Sequence, residues 1–143
     1  MKTIIQLLVV IVLAFVIFKW WQKNHQAAPP TAGASASQEC AAAAAAAGET
    51  WGSGVGRFAN PPYDTTAWAD FRSRVETQAR QAQEKCLCGD AACNIATGAM
   101  SDLRSLVNEM DSALRSGSPP PSDLVQRQDA IDNAINAARD QAK

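Results

Sequence analysis

Apolar positions follow two regimes along this chain. Residues 3–18 are continuously apolar, with Gln6 the one strongly polar side chain, and Lys19-Trp20-Trp21 closes the run. Carried through Trp21, the segment has about the 20 residues that a helix needs to cross roughly 30 Å of hydrocarbon. The indoles of Trp20 and Trp21 suit the headgroup boundary, and Lys19 can snorkel outward from the same edge. The pattern predicts a transmembrane anchor over 1–23, in contact with lipid through residues 3–21. A cleaved signal peptide fits less well, because Lys-Trp-Trp replaces the small-residue cleavage site and no Leu-x-x-Cys precedes Cys40.

Beyond the anchor the apolar residues recur at steps of three and four. Trp68, Phe71, Val75, Ala79, Ala82 and Cys86 form one stripe; Cys93, Ala96, Met100, Leu103, Val107, Met110 and Leu114 form a second. Leu124, Gln128, Ile131, Ile135, Ala138 and Ala142 form a third. Stripes of this period are the signature of amphipathic helices. Their breaks carry matching chemistry: Asp64 or Thr65, Asp90, and Ser122 or Asp123 can cap helix starts, and Gly89 can supply a left-handed stop. A weaker helix runs from Glu39 through the alanines to a stop at Gly48, since alanine has the highest helix propensity but so short a segment is marginal alone. The expected helices are about 39–47, 64–87, 90–115 and 122–141.

Short connections imply antiparallel neighbours. The expectation is therefore an all-α protein: an N-terminal transmembrane helix, a flexible linker over 24–37, and a helical domain over 38–143. That domain is expected as a disulfide-stapled antiparallel three-helix bundle with a short extra Ala-rich helix. The linker reading rests on its small residues with Pro29, Pro30 and Gly33, which cannot bury enough surface to order themselves. The charged pairs Arg72/Glu76/Arg80/Glu84 and Asp111/Arg115 read as solvated helix faces.

Charge narrows the partners. Ten of the thirteen Lys/Arg and all fourteen acids lie beyond residue 37, so that part carries a formal charge of −4. A mildly acidic domain lacks the basic footprint that holds phosphates, which argues against nucleic acid. The single histidine, His25, falls in the linker, and Gly52-Ser-Gly-Val-Gly56 lacks the Lys-Ser/Thr of a phosphate loop. No zincin, hydrolase or calcium-loop spacing occurs, so no catalytic residue, metal ligand set, cofactor or small-molecule substrate is assigned. Residues 51–63 read as a Gly/Pro-rich loop with aromatics. Trp51, Phe58 and Tyr63 could lid the bundle; with Arg57 they are also the candidate partner-binding loop.

The densest chemistry is Cys86-Leu-Cys88-Gly-Asp-Ala-Ala-Cys93, on the turn between two expected helices, with Cys40 on the Ala-rich segment. Four cysteines in a small domain point to disulfides and an oxidising compartment. Cys86 ends one stripe and Cys93 begins the next, which favours an 86–93 bridge and leaves Cys88 for Cys40. The pairings 40–86 with 88–93, and 40–93 with 86–88, stay open. The string Cys86, Cys88, Asp90 and Cys93, between a charged helix and a Met/Leu/Val helix, is similar to the C-x-C-x-D-x-x-C turn of small exported helical-hairpin proteins of myxobacteria and their relatives. The resemblance covers about residues 65–115. It implies export and a disulfide-clamped hairpin, with no activity attached. Together these readings point to a single-pass protein of the bacterial inner membrane with a periplasmic head, acting as a binding or assembly accessory to another envelope protein. The alternative is a thiol redox or metal-handling protein using Cys86, Cys88 and Cys93.

Overall fold

The computed structural model describes residues 35–143. Four α-helices occupy this part: α1 (Ala36–Gly54), α2 (Thr65–Lys85), α3 (Ala91–Arg115) and α4 (Leu124–Gln141), with a 3-10 turn at Val55–Phe58 between the first two. No strand is present among the described residues. Among them, too, no helix is long and apolar enough to cross a membrane. The expected anchor, with Lys19, Trp20 and Trp21, lies outside the described residues, as does most of the expected linker.

Side chains cap three of the four helix starts; at α4 the expected cap from Ser122 or Asp123 is absent, and Asp123 makes no side-chain capping bond. At α1, Ser35 and Gln38 form a reciprocal capping box: Gln38 N–H donates to Ser35 Oγ at 3.3 Å and Ser35 N–H donates to Gln38 Oε1 at 3.1 Å. Residues 35–37, read as the last of the linker, are therefore the beginning of the helix. Asp64 caps α2 through Ala67 N–H at 2.9 Å, and Asp90 caps α3 through Cys93 N–H at 2.8 Å. Gly89 and Gly117 take positive φ, 74° and 67°, in the turns after α2 and α3.

The helices run up-down-up-down. Gly48 faces Ile135 and Gly52 faces Gln128, which sets α1 antiparallel to α4. Trp68 meets Asp111 across α2 and α3, and Glu109 meets Arg127 across α3 and α4. The helix α1 packs on all three others, and α3 does the same. The Ala-rich segment is thus a full fourth member of the bundle, not a short addition to a three-helix one.

The reason lies in two glycines. Gly48, read as a helix stop, is buried in mid-helix, where an added Cβ would sit 2.7 Å from Ile135 Cδ1. At Gly54 an added Cβ would overlap the Phe71 ring. Both are notches for close approach, and the helix continues through the first to the second. Its continuation carries Trp51 into the core, 1% exposed. There the Trp51 indole stacks on Phe71 with centroids 5.9 Å apart, while Phe58 meets Trp68 edge-on at 5.2 Å. The remaining core comes mainly from α3, where Met100, Leu103, Leu106, Val107 and Met110 are wholly buried.

Both disulfides differ from the favoured pairing. Cys40 is bonded to Cys86 and Cys88 to Cys93. Because α1 is a core helix, its first turns lie against the last turn of α2, and the Cα atoms of Cys40 and Cys86 are 4.7 Å apart. Cys93 is then left to the near side of its own turn. The Cys40–Cys86 bridge spans 46 residues and contributes ~4 kcal/mol in the chain-entropy model; the Cys88–Cys93 bridge spans 5 and contributes ~2.

The notch argument gives a direct test. Replacing Gly54 by Ala should lower unfolding stability by about 1–3 kcal/mol through overpacking against Phe71. Gly56→Ala, where a Cβ meets nothing within 4 Å, should be neutral. Urea denaturation midpoints of the two variants check this, and equal midpoints would refute the notch.

Candidate functional site

The expected partner-binding loop is part helix and part 3-10 turn, and its aromatics turn inward while its other residues stay largely exposed. Trp51 and Phe58 are core residues, 1% and 3% exposed, so neither can meet a partner. Tyr63 packs half-buried against the same core. Of the four candidate residues Arg57 alone stays exposed, with its guanidinium 5.4 Å from the Phe58 ring centroid and 6.0 Å from that of Phe71. The physical reason is length: once α1 runs on to Gly54, the short 3-10 turn can only fold the aromatics back over the bundle end.

What the surface of α1 does offer is a bare helix face. Ala42 and Ala46 are exposed and Ala43 and Ala45 half-buried, so a strip of methyl groups faces outward. Grooves flank it. Between α1 and α4 a cavity of about 350 Å³ is bordered by Gln38, Ala41, Ala45, Arg139 and Lys143. It continues, past Ala45, Glu49 and Arg139, into one of about 470 Å³ bordered by Gly48, Gly52 and Asp132. On the other flank, Ala43 and Ala46 face Gln78, Gln81, Glu84 and Lys85 of α2. The Gln78 Oε1 is enclosed there and accepts no hydrogen bond among the described residues.

Two carboxylates that sequence reading passed over stand out. Asp111, read as part of a solvated face, is an interhelical hub with its side chain 14% exposed. It accepts from Trp68 Nε1 at 2.9 Å, Arg72 Nη1 at 2.7 Å and Arg115 Nε at 2.9 Å. Burial pushes its pKa up, but the hydrogen bonds from Trp68 and Arg115 and the charges of Arg72 and Arg115 outweigh this and hold it below the usual carboxylate value. A signal for it existed: a tryptophan on an apolar stripe needs an acceptor for its N–H, and Asp111 adjoins the facing stripe. Asp132 behaves oppositely. It forms no hydrogen bond or ion pair among the described residues, and burial, then the neighbouring Asp129 charge, raises its pKa.

Cys88, Asp90 and Cys93 bring three donor atoms within 4.8 Å of one another. With the two sulfurs bonded to each other, neither is the thiolate that a metal ion takes. Cys86, the third cysteine of the expected cluster, is held away from them by Cys40.

The two carboxylates should act on stability with opposite sign. Asp111, with its folded pKa depressed, contributes stability above an unfolded value of about 3.9 that is lost as pH falls through the folded pKa. Asp111→Ala should cost about 2–3 kcal/mol at neutral pH, as loss of charged hydrogen bonds at a largely buried site. Asp132, with its pKa raised, disfavours the folded state once ionised, so Asp132→Asn should hold or raise stability at pH 7 and make no difference at pH 3. Denaturant midpoints between pH 3 and 8 read both, and matching profiles for the two variants would contradict the assignment. No protein family, curated protein or solved structure matches this chain.

Proposed function

We propose that this chain is a membrane-tethered accessory protein of the bacterial envelope, whose helical head docks a helix of another envelope protein against α1. The observation that carries the reading is the methyl-lined strip of α1 beside the α1–α4 groove, with the unpaired Asp132 carboxylate in its wall. Between the long side chains of Gln38, Glu49, Arg139 and Lys143 at its borders, the alanine strip lets a partner helix come close, as small residues do in other helix pairs. Asp132 is partly desolvated and forms no ion pair among the described residues, Arg139 in the same groove included, and a lysine or arginine on the partner would supply one.

The tether and compartment rest on other supports. Residues 3–21 have the length and flanking residues of a membrane span. All four cysteines are paired, which suits an oxidising periplasm better than a reducing cytoplasm. Paired sulfurs also suit a scaffold, since the bundle then resists opening while its surface is engaged.

A photo-crosslinking residue at Ala46 in native membranes should give one discrete adduct with a second protein, and Asp132→Lys should abolish it. The same crosslinker at Asn108 on the exposed side of α3 should give none. An adduct of twice the chain's own mass would identify a second copy as the occupant and overturn a heterologous partner. Cleavage of a C-terminal tag by protease added to the periplasmic side checks the orientation, and protection of that tag would reverse it.

A further inference from the structure

We propose that the Cys88–Cys93 disulfide is a thiol–disulfide exchange site, offered at the α2–α3 turn to a dithiol partner protein, while Cys40–Cys86 is an inert staple. The two bridges differ in whether an incoming thiolate can reach one of their sulfurs. Cys40 and Cys86 are 0% and 6% exposed and lie between two core helices. Cys88 sits in a turn whose residues 87–91 are all solvent-accessible. Cys93 is 0% exposed, so an incoming thiolate can reach only the Cys88 sulfur. Leu87, beside it, is 85% exposed, the more exposed of two large apolar side chains that reach solvent among the described residues. A bare leucine next to an accessible disulfide is a contact point for a partner whose own reactive cysteine is ringed by apolar surface.

The local fold does not need this bridge. The turn is also held by the Asp90 cap on Cys93 N–H, by Asn94 N–H donating to Asp90 O at 3.0 Å, and by the left-handed Gly89. Opening Cys88–Cys93 leaves these contacts and the Cys40–Cys86 staple intact, whereas opening the staple would free the first turns of α1 from the end of α2.

The exchange balances as follows. A thiolate of the partner attacks Cys88 Sγ, the Cys88–Cys93 bond breaks, and its electron pair leaves on Cys93 Sγ. Cys93 lies in the first turn of α3, where backbone N–H groups and the helix dipole favour a thiolate. Its burial and the nearby Asp90 carboxylate work against that charge, although Asp90 Oδ1 is already engaged by Cys93 N–H. The partner's second thiolate then attacks its own sulfur in the mixed disulfide and releases Cys88. The partner departs as a disulfide, two electrons have passed to the Cys88/Cys93 pair, and the partner's two thiol protons reach the two new thiolates through solvent.

The native full-length protein would be exposed to graded dithiothreitol and reduced glutathione without denaturant, quenched, alkylated and mapped by mass spectrometry. Cys88 and Cys93 should become labelled roughly tenfold or more before Cys40 and Cys86, with helical circular dichroism unchanged, and any glutathione adduct should sit on Cys88. Both bridges opening together, opening only with loss of helix, or an adduct on Cys93 would overturn the assignment. Leu87→Ser should slow exchange with a reduced thioredoxin-type protein about five- to tenfold while leaving the dithiothreitol rate unchanged. Equal effects on both rates, or none on either, would overturn the role of Leu87 as the contact point. Neither result bears on docking at α1, which uses different residues.

Discussion

Seven consecutive alanines cannot hold a helix in a bundle by side-chain burial alone. A methyl group removes little apolar surface from water, on the order of 0.8 kcal/mol for each carbon-sized group. What places α1 is therefore close approach, and close approach requires the absence of atoms. Gly48 admits Ile135 of α4 and Gly54 admits Phe71 of α2. Trp51, between them, supplies the one large side chain of α1 in the core. The Cys40–Cys86 bond then fixes the other end of the helix to α2. Everything else about the head depends on this seating: the fourfold arrangement, the covered aromatics, and the methyl strip left outside.

The seating also explains why the chain's two bridges are unequal. One joins helices that meet only because α1 is a core member, and it is buried with them. The other links the turn after α2 to the first turn of α3, five residues on, where caps and backbone bonds already hold the chain. A stabilising bond belongs where much chain would otherwise be free. A bond that closes a short loop, and that solvent reaches from its Cys88 side, is the one more open to exchange. The proposed division between a staple and an exchange site follows from that inequality, and it is compatible with a head whose α1 face serves a separate docking role.

Polar groups fall into the same two kinds. Asp111 is desolvated but fully answered by Trp68, Arg72 and Arg115, and it ties α2 to α3 beneath the aromatic cluster. Asp132 is partly desolvated and unanswered. The first is a part of the fold; the second is a cost that the fold alone does not justify, which is why it draws attention to the groove beside it.

Periodicity by itself determined a great deal. The stripes running from Trp68 to Cys86 and from Cys93 to Leu114 are buried throughout, because a helical repeat of apolar positions has only one way to leave water. The caps at Asp64 and Asp90 were legible for a similar reason: they act within four residues. The choice among the open cysteine pairings, the inward turn of Trp51 and Phe58 and the role of Asp132 were not decided along the chain, since each depends on which helix lies across from it, and the Trp68–Asp111 bond had only the indole's need for an acceptor to announce it. Gly48 shows the difference most plainly. Along the chain a glycine after alanines reads as a stop, and only the presence of Ile135 on a helix more than eighty residues away makes it a point of contact. Local sequence set where helices could form; the long-range fit of backbone against side chain decided where α1 ended, which sulfurs met, and which face of α1 stayed in solvent.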